Sequence, residues 1–171
     1  MRALAIDPDL HHAGIAIVHY DPILRNRPTV YWTGVALAPR KLKSYEAASA
    51  LEWPTPPGVE PYDVLVVEGQ RIYPHSPADP EDIMHLAFAA GLALGHYRGS
   101  AVETAVPHPQ QWKGSIPKPV AHARILSRCI IHPEAAVLVA GPHKSHVIDA
   151  IGLALWGLGL PGAIQQGRLR A

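Results

Sequence analysis

A single cysteine, Cys129, stands among the 171 residues, so no disulfide can form within the chain. That excludes a small disulfide-stapled scaffold and suits a reducing, cytoplasmic compartment. Long apolar runs are missing as well. The opening run is broken by Asp7 after a few residues, too early for a secretory leader. The longest apolar stretch near the C-terminus, Val147 to Leu160, contains Asp149 and is too short to span a bilayer, so no membrane role is expected. No internal repeat and no break marking a second domain appears. Residues 1–171 therefore read as one domain, long enough to bury a real core. Acidic residues are absent from Thr104 to Pro133.

What is present is a globular composition, 48% hydrophobic with a net charge of +1. The charge is unevenly spread. Residues 1–103 carry eight Lys/Arg and twelve Asp/Glu, whereas residues 104–171 carry seven Lys/Arg against only Glu134 and Asp149. The basic second part is either a surface facing a polyanion or a chance excess on a solvated face.

Apolar patterning predicts strands at Ala3 to Ile6, Gly14 to Tyr20 and Thr29 to Leu37, joined closely enough for an antiparallel meander. Asp63 to Glu68, Asp-Val-Leu-Val-Val-Glu, is apolar without alternation, which marks a central strand parallel to a neighbour. Ala101 to Val106 is a fifth strand. Helices are expected over Lys41 to Trp53, Pro80 to Tyr97, Val120 to Ile131 and Ser145 to Leu158, with one helical turn in Pro107 to Lys113 and a loop from His132 to Lys144. Asp79 can cap the Pro80 helix, which is apolar almost all round and so is either fully buried or, as a small domain favours, packed on its own sheet and on a second subunit. The order βββαβαβαα gives an α/β fold with a mixed five-stranded sheet.

Asp7 ends the first strand and Glu68 ends the central one. A carboxylate at the end of a buried strand is costly unless it is paired, hydrogen-bonded or bound to metal. Asp7 either opens a turn, as Asp-Pro commonly does, or is one leg of a metal-binding cluster. Neighbouring first and fourth strands would bring Asp7 and Glu68 to one rim. His146 and Asp149, three residues apart on the last helix, share a face that could join them. Hard oxygen donors suit Mg²⁺ or Mn²⁺, and an imidazole favours Mn²⁺. Two such ions about 4 Å apart can hydrolyse a phosphodiester.

At these residues the chain resembles the RuvC-type Holliday junction resolvases of the ribonuclease H-like superfamily, and especially their phage-encoded relatives. Ala5-Ile-Asp-Pro-Asp-Leu-His-His-Ala-Gly14 is similar to the family's first motif, Ile-Asp-Pro-Gly-Leu-x-x-Thr-Gly. Val64-Leu-Val-Val-Glu68 resembles the strand bearing its second acidic residue, and His146-Val-Ile-Asp149 its closing motif. The resemblance covers nearly the whole chain. It implies a ribonuclease H-like fold and an endonuclease that cuts four-way junctions symmetrically as a homodimer. Asp7, Glu68, His146 and Asp149 would be its metal-site residues, with two Mg²⁺ or Mn²⁺ ions per site. Pro109 to Lys118 resembles the family's basic DNA-contact segment. The DNA-facing residues would be Arg71, Tyr73, Lys113, Lys118, Arg124, Arg128 and Lys144, with the loop from Gly69 to Pro77 reaching the junction core and the Pro80 helix forming the dimer interface.

Two departures stand out. Asp9 and Ala13 replace the family's glycine and threonine, so the turn is less strained and carries an extra charge beside Asp7. After Glu68 the order is Gly69-Gln70-Arg71-Ile72-Tyr73 where the family has Gln and then an aromatic close by. These bear on junction selectivity more than on cleavage. Rival readings are a nuclease of the same fold acting on flaps, forks or RNA–DNA hybrids, and a non-catalytic junction-binding protein. An actin-like nucleotide-binding domain shares the opening aspartate, but the chain lacks the glycine-rich phosphate loops and second lobe that it needs.

Overall fold

A computed structural model of the chain describes residues 1–24, 26–39, 41–42, 44–58, 61–70 and 79–160. Strands β1 (Arg2–Asp7), β2 (His12–His19) and β3 (Thr29–Leu37) form the expected antiparallel meander, with Asp7 opposite Gly14. Strand β4 (Tyr62–Val67) lies between β1 and β5 (Ala101–Ala105) and is parallel to both. That fits its unbroken apolar sequence, since both faces are covered.

The sheet has six strands rather than five, in the order β5-β4-β1-β2-β3-β6. Strand β6 (Ile130–Ile131) occupies the end of the stretch expected to be helical to Ile131. Helix α4 (Lys118–Arg128) stops because Cys129 turns extended. The backbone beyond it is captured by the open edge of β3: Ile130 N–H donates to Pro28 O at 2.8 Å and His132 N–H to Val30 O at 3.0 Å. The expected loop from His132 to Lys144 contains a further helix, α5 (Pro133–Ala140), which starts on a proline and seats Ala135 in the core. The first helix, α1 (Ser44–Ser49), is shorter than the expected Lys41 to Trp53. Its continuation is lost because Glu52 N–H pairs with Leu37 O at 3.1 Å.

The remaining helices are α2 (Pro80–Tyr97), α3 (Pro109–Trp112) and α6 (Lys144–Gly157). As expected, Asp79 caps α2, accepting from Glu81 N–H at 2.9 Å. Side chains alternate across the strands, so the sheet has two cores. Leu4, Ile6, Ile15, Leu65 and Val67 pack under α1 and α2. Ala3, Ala5, Ala16, Val64 and Val66 pack under α6, backed by α3, α4 and α5. The α6 side of β1 and β2 is built largely of alanine, which lets the helix lie close. No helix among the described residues is long and apolar enough to cross a membrane.

Candidate active site

The alternation that buries Ala3 and Ala5 beneath α6 carries Asp7 to the same face, and Val64 and Val66 carry Glu68 there. Glu68 N–H donates to Ile6 O at 3.0 Å, so the parallel ladder delivers both carboxyls to one rim of the sheet. The start of α6 is laid across the β1–β2 hairpin at Gly14. A Cβ on Gly14 would stand 2.2 Å from the carbonyl carbon and oxygen of His146, so only glycine permits this approach. It sets His146 Nδ1 2.9 Å from Asp7 Oδ2. One helical turn on, Asp149 faces the same pocket, which has a volume of about 290 Å³ and is lined also by Lys113, Lys118 and Leu86. Asp7, Glu68 and Asp149 are 5%, 6% and 2% exposed.

Each carboxyl has its own partners. Glu68 Oε1 accepts from Trp112 Nε1 at 2.8 Å, and Lys113 Nζ lies 3.9 Å from the same oxygen and 4.8 Å from the Trp112 ring centre. Trp112 is fully buried and fits because residue 152, on α6, is glycine: a Cβ there would stand 2.6 Å from the indole. Asp149 Oδ2 accepts from Lys118 Nζ at 2.7 Å, and its Oδ1 is 3.0 Å from His122 Nε2. Lys118 and His122 are one turn apart on α4 and so reach the same acid.

Burial, and then the charge of Asp149, pushes the Asp7 carboxyl up to about 7. Burial, and then Asp7, pushes Glu68 up to about 8. Burial works against the Lys118 ammonium, but its hydrogen bond to Asp149 and that acid's charge outweigh it and raise its pKa. Left to themselves, then, Asp7 and Glu68 hold protons near neutral pH. A divalent cation suits such a group, because it supplies the missing charge and takes the place of the protons. The donors that Asp7, Glu68 and Asp149 present are hard oxygens, the set that Mg²⁺ or Mn²⁺ takes.

All four residues expected at the metal site thus meet in one place. Of the expected DNA-facing residues, Lys113 and Lys118 stand at the carboxylates. Arg128 and Lys144 are exposed, and Arg124 is partly buried on α4. Arg71 and Tyr73, with most of the loop from Gly69 to Pro77, lie outside the described residues. Sequence reasoning missed three members. His122 was signalled by its spacing of four from Lys118, and Trp112 by its place beside Lys113. His12 was hidden in the turn: its Nδ1 is 2.9 Å from Asp9 Oδ2. The added charge of Asp9 therefore faces imidazoles, and its Oδ2 is also 3.3 Å from His146 Nε2.

No family model matches the sequence, and no curated protein is detectably similar to it. Solved structures are similar in fold. RuvC of T. thermophilus, in complex with a Holliday junction substrate, superposes with a TM-score of 0.62 at 17% identity, over 96% of this chain and 98% of that one. The Fowlpox virus resolvase, in complex with Holliday junction DNA, gives 0.53 at 15% identity over 92% and 98%. The yeast mitochondrial Holliday junction resolvase gives 0.54 at 11% identity over 95% and 81%. The chain has the ribonuclease H-like fold of RuvC, with its acidic pocket at the rim where β1, β4 and α6 converge.

Proposed function

We propose that this protein is a divalent-metal-dependent endonuclease that resolves four-way DNA junctions as a homodimer, its chain acting as one nuclease domain. The observation that carries the reading is the convergence of the buried residues Asp7, Glu68 and Asp149 on one pocket of a RuvC-like fold. Asp7, Glu68 and Asp149 would hold two Mg²⁺ or Mn²⁺ ions, with His146 as a further ligand or as the group that positions the attacking water. Such ions supply activation of water and stabilisation of the leaving oxygen. The chain's own residues set the geometry. Trp112 fixes one oxygen of Glu68, His146 orients Asp7, and His122 holds Asp149. Lys113 and Lys118 compensate the acids and stand where phosphates would enter. Arg124, Arg128 and Lys144 would extend the basic surface along the backbone, and Arg71 and Tyr73 would reach the junction centre.

The dimer would form through α2. Its inner side buries Ile83, Ala89, Ala90 and Ala93, while Met84, Ala87, Gly91 and Gly95 form an exposed stripe at helical spacing. A second copy of the same helix fits such a narrow, weakly polar face.

The test is incubation of the protein with a mobile four-way junction and Mg²⁺ or Mn²⁺, with products mapped to the nucleotide. Paired symmetric cuts are expected. Asp7→Asn should abolish cutting and leave junction binding largely intact. Absence of metal-dependent cutting by the unaltered protein would leave a junction-binding protein instead. Equal cutting of flaps and forks would broaden the substrate class.

A further inference from the structure

Beside the three acids lies a second group of different chemistry. Asp9, His12 and His146 each direct one ligand atom into a common space, and these atoms all lie within 4.8 Å of one another. Asp9 Oδ2 stands 2.9 Å from His12 Nδ1 and 3.3 Å from His146 Nε2. We propose that Asp9, His12 and His146 form a second site, adjoining the acidic pocket and sharing His146 with it, for a borderline transition-metal dication of the Zn²⁺ class, which clamps the β1–β2 turn to the start of α6. The cleavage reading uses neither Asp9 nor His12, while His146 is common to both sites.

The two separations from Asp9 Oδ2 are those of ligands around one small ion. Bonds of about 2.0–2.1 Å in a tetrahedron put neighbouring donors about 3.4 Å apart. His12 Nδ1 is shielded from solvent and faces the Asp9 oxygen at 2.9 Å. A cation can be shared between that nitrogen and that oxygen. His146 suits a metal-bound histidine: in the tautomer whose Nδ1 donates to Asp7 Oδ2, 2.9 Å away, it presents the lone pair of Nε2 to Asp9. An imidazole whose far nitrogen donates to a carboxylate is the usual support for a histidine ligand. Asp9 is itself oriented, since its Oδ1 accepts from Leu10 N–H at 2.6 Å. The His143 ring packs edge-on against His12, with centres 4.8 Å apart. Two imidazoles and one carboxylate select against Mg²⁺, which demands oxygen and octahedral geometry.

The experiment is titration of the purified protein with Co²⁺, and separately with Zn²⁺, while millimolar Mg²⁺ saturates the acidic centre. Visible absorption reports Co²⁺ geometry, and equilibrium dialysis reports Zn²⁺ stoichiometry. One Co²⁺ per chain with low-coordinate absorption is expected, displaced by one Zn²⁺. His12→Ala and Asp9→Asn should each weaken binding by more than about 100-fold, since losing even an outer partner costs about 10–100-fold. Asp149→Asn, which leaves all three ligands in place, should keep the Co²⁺ spectrum while removing an acid of the other centre. Absence of the Co²⁺ spectrum in the unaltered protein overturns the site, whatever the variants do. So does equal binding by folded His12→Ala, or loss of the spectrum in folded Asp149→Asn, which would put the ion among the acids. Because the readout is binding, a protein that cuts junctions without holding Zn²⁺ separates failure of this site from failure of the nuclease reading.

Discussion

Trp112 donates its indole N–H to Glu68 Oε1 at 2.8 Å, from a position with no solvent exposure at all. The bond steers one carboxyl of the acidic pocket and lowers its pKa against the larger effects of burial and of Asp7. Trp112→Phe keeps most of the packing and removes only the donor. Glu68 should then hold its proton to higher pH, and binding of Mg²⁺ or Mn²⁺ should weaken by about 10–100-fold, the usual effect of losing an outer partner. The midpoint of a metal titration, followed by cleavage or by calorimetry at several pH values, checks this. An unchanged midpoint would reduce Trp112 to core packing.

Gly14 is the point where the hairpin admits α6. Gly14→Ala places a methyl group against the His146 backbone, where nothing flexible can yield. Lifting the helix should destabilise the fold by about 1–3 kcal/mol, the cost of overpacking. It should also draw His146 away from Asp7, so activity should fall further than stability alone explains. Thermal unfolding and cleavage rate, compared well below the melting temperature, separate the two effects.

How far the sequence discloses this arrangement depends on the signal each part leaves. The strands were legible because alternating or unbroken apolar residues report burial directly, and Asp7 and Glu68 stood out as charges ending such runs. The last helix was legible to within a residue at each end, and with it the spacing of His146 and Asp149. Strand β6 was not, because Ile130 and Ile131 continue an apolar helical pattern and become extended only when the edge of β3 captures them. Helix α5 was hidden in a segment opened by His132-Pro133 and closed by glycine, which reads equally as a loop. Trp112 and His122 left only weak signals, their places beside Lys113 and one turn from Lys118, because each acts on an acid distant in sequence, and His12 was hidden in the turn that it shares with Asp9. Only the fold brings His122 to Asp149 or Trp112 to Glu68.

The raised carboxyls make stability depend on pH in an unusual direction. Asp7 and Glu68 have ordinary values of 3.8 and 4.5, and in the folded chain they stand at about 7 and about 8. Between these limits the folded state binds more protons than the unfolded one, so stability falls as pH rises. In chelator, the melting temperature should drop from pH 5 to pH 8. The slope should be shallower in Asp7→Asn, which cannot ionise at that position. Mg²⁺ or Mn²⁺ should raise the melting temperature more at pH 8 than at pH 5, because at the higher pH the ion competes with fewer protons. A melting temperature that rises with pH in chelator would contradict the buried acidic pocket.

The proposed dimer is best tested on the outer face of α2, away from Phe88. Its ring stacks on Tyr45 of α1 at 4.7 Å and packs against the core, so Phe88→Glu would damage the fold before it reported on association. Gly91 has open space where a Cβ would stand. Gly91→Ala therefore costs nothing within the chain and should stabilise the isolated helix by about 0.5–1 kcal/mol. Gly91→Arg keeps that freedom but sets a long charged side chain where a second helix would have to approach. It should give folded monomers by light scattering, with an unchanged far-ultraviolet spectrum and without paired cutting of the two strands. If Gly91→Arg remains dimeric, the interface lies on another face and the exposed stripe from Met84 to Gly95 needs a different partner.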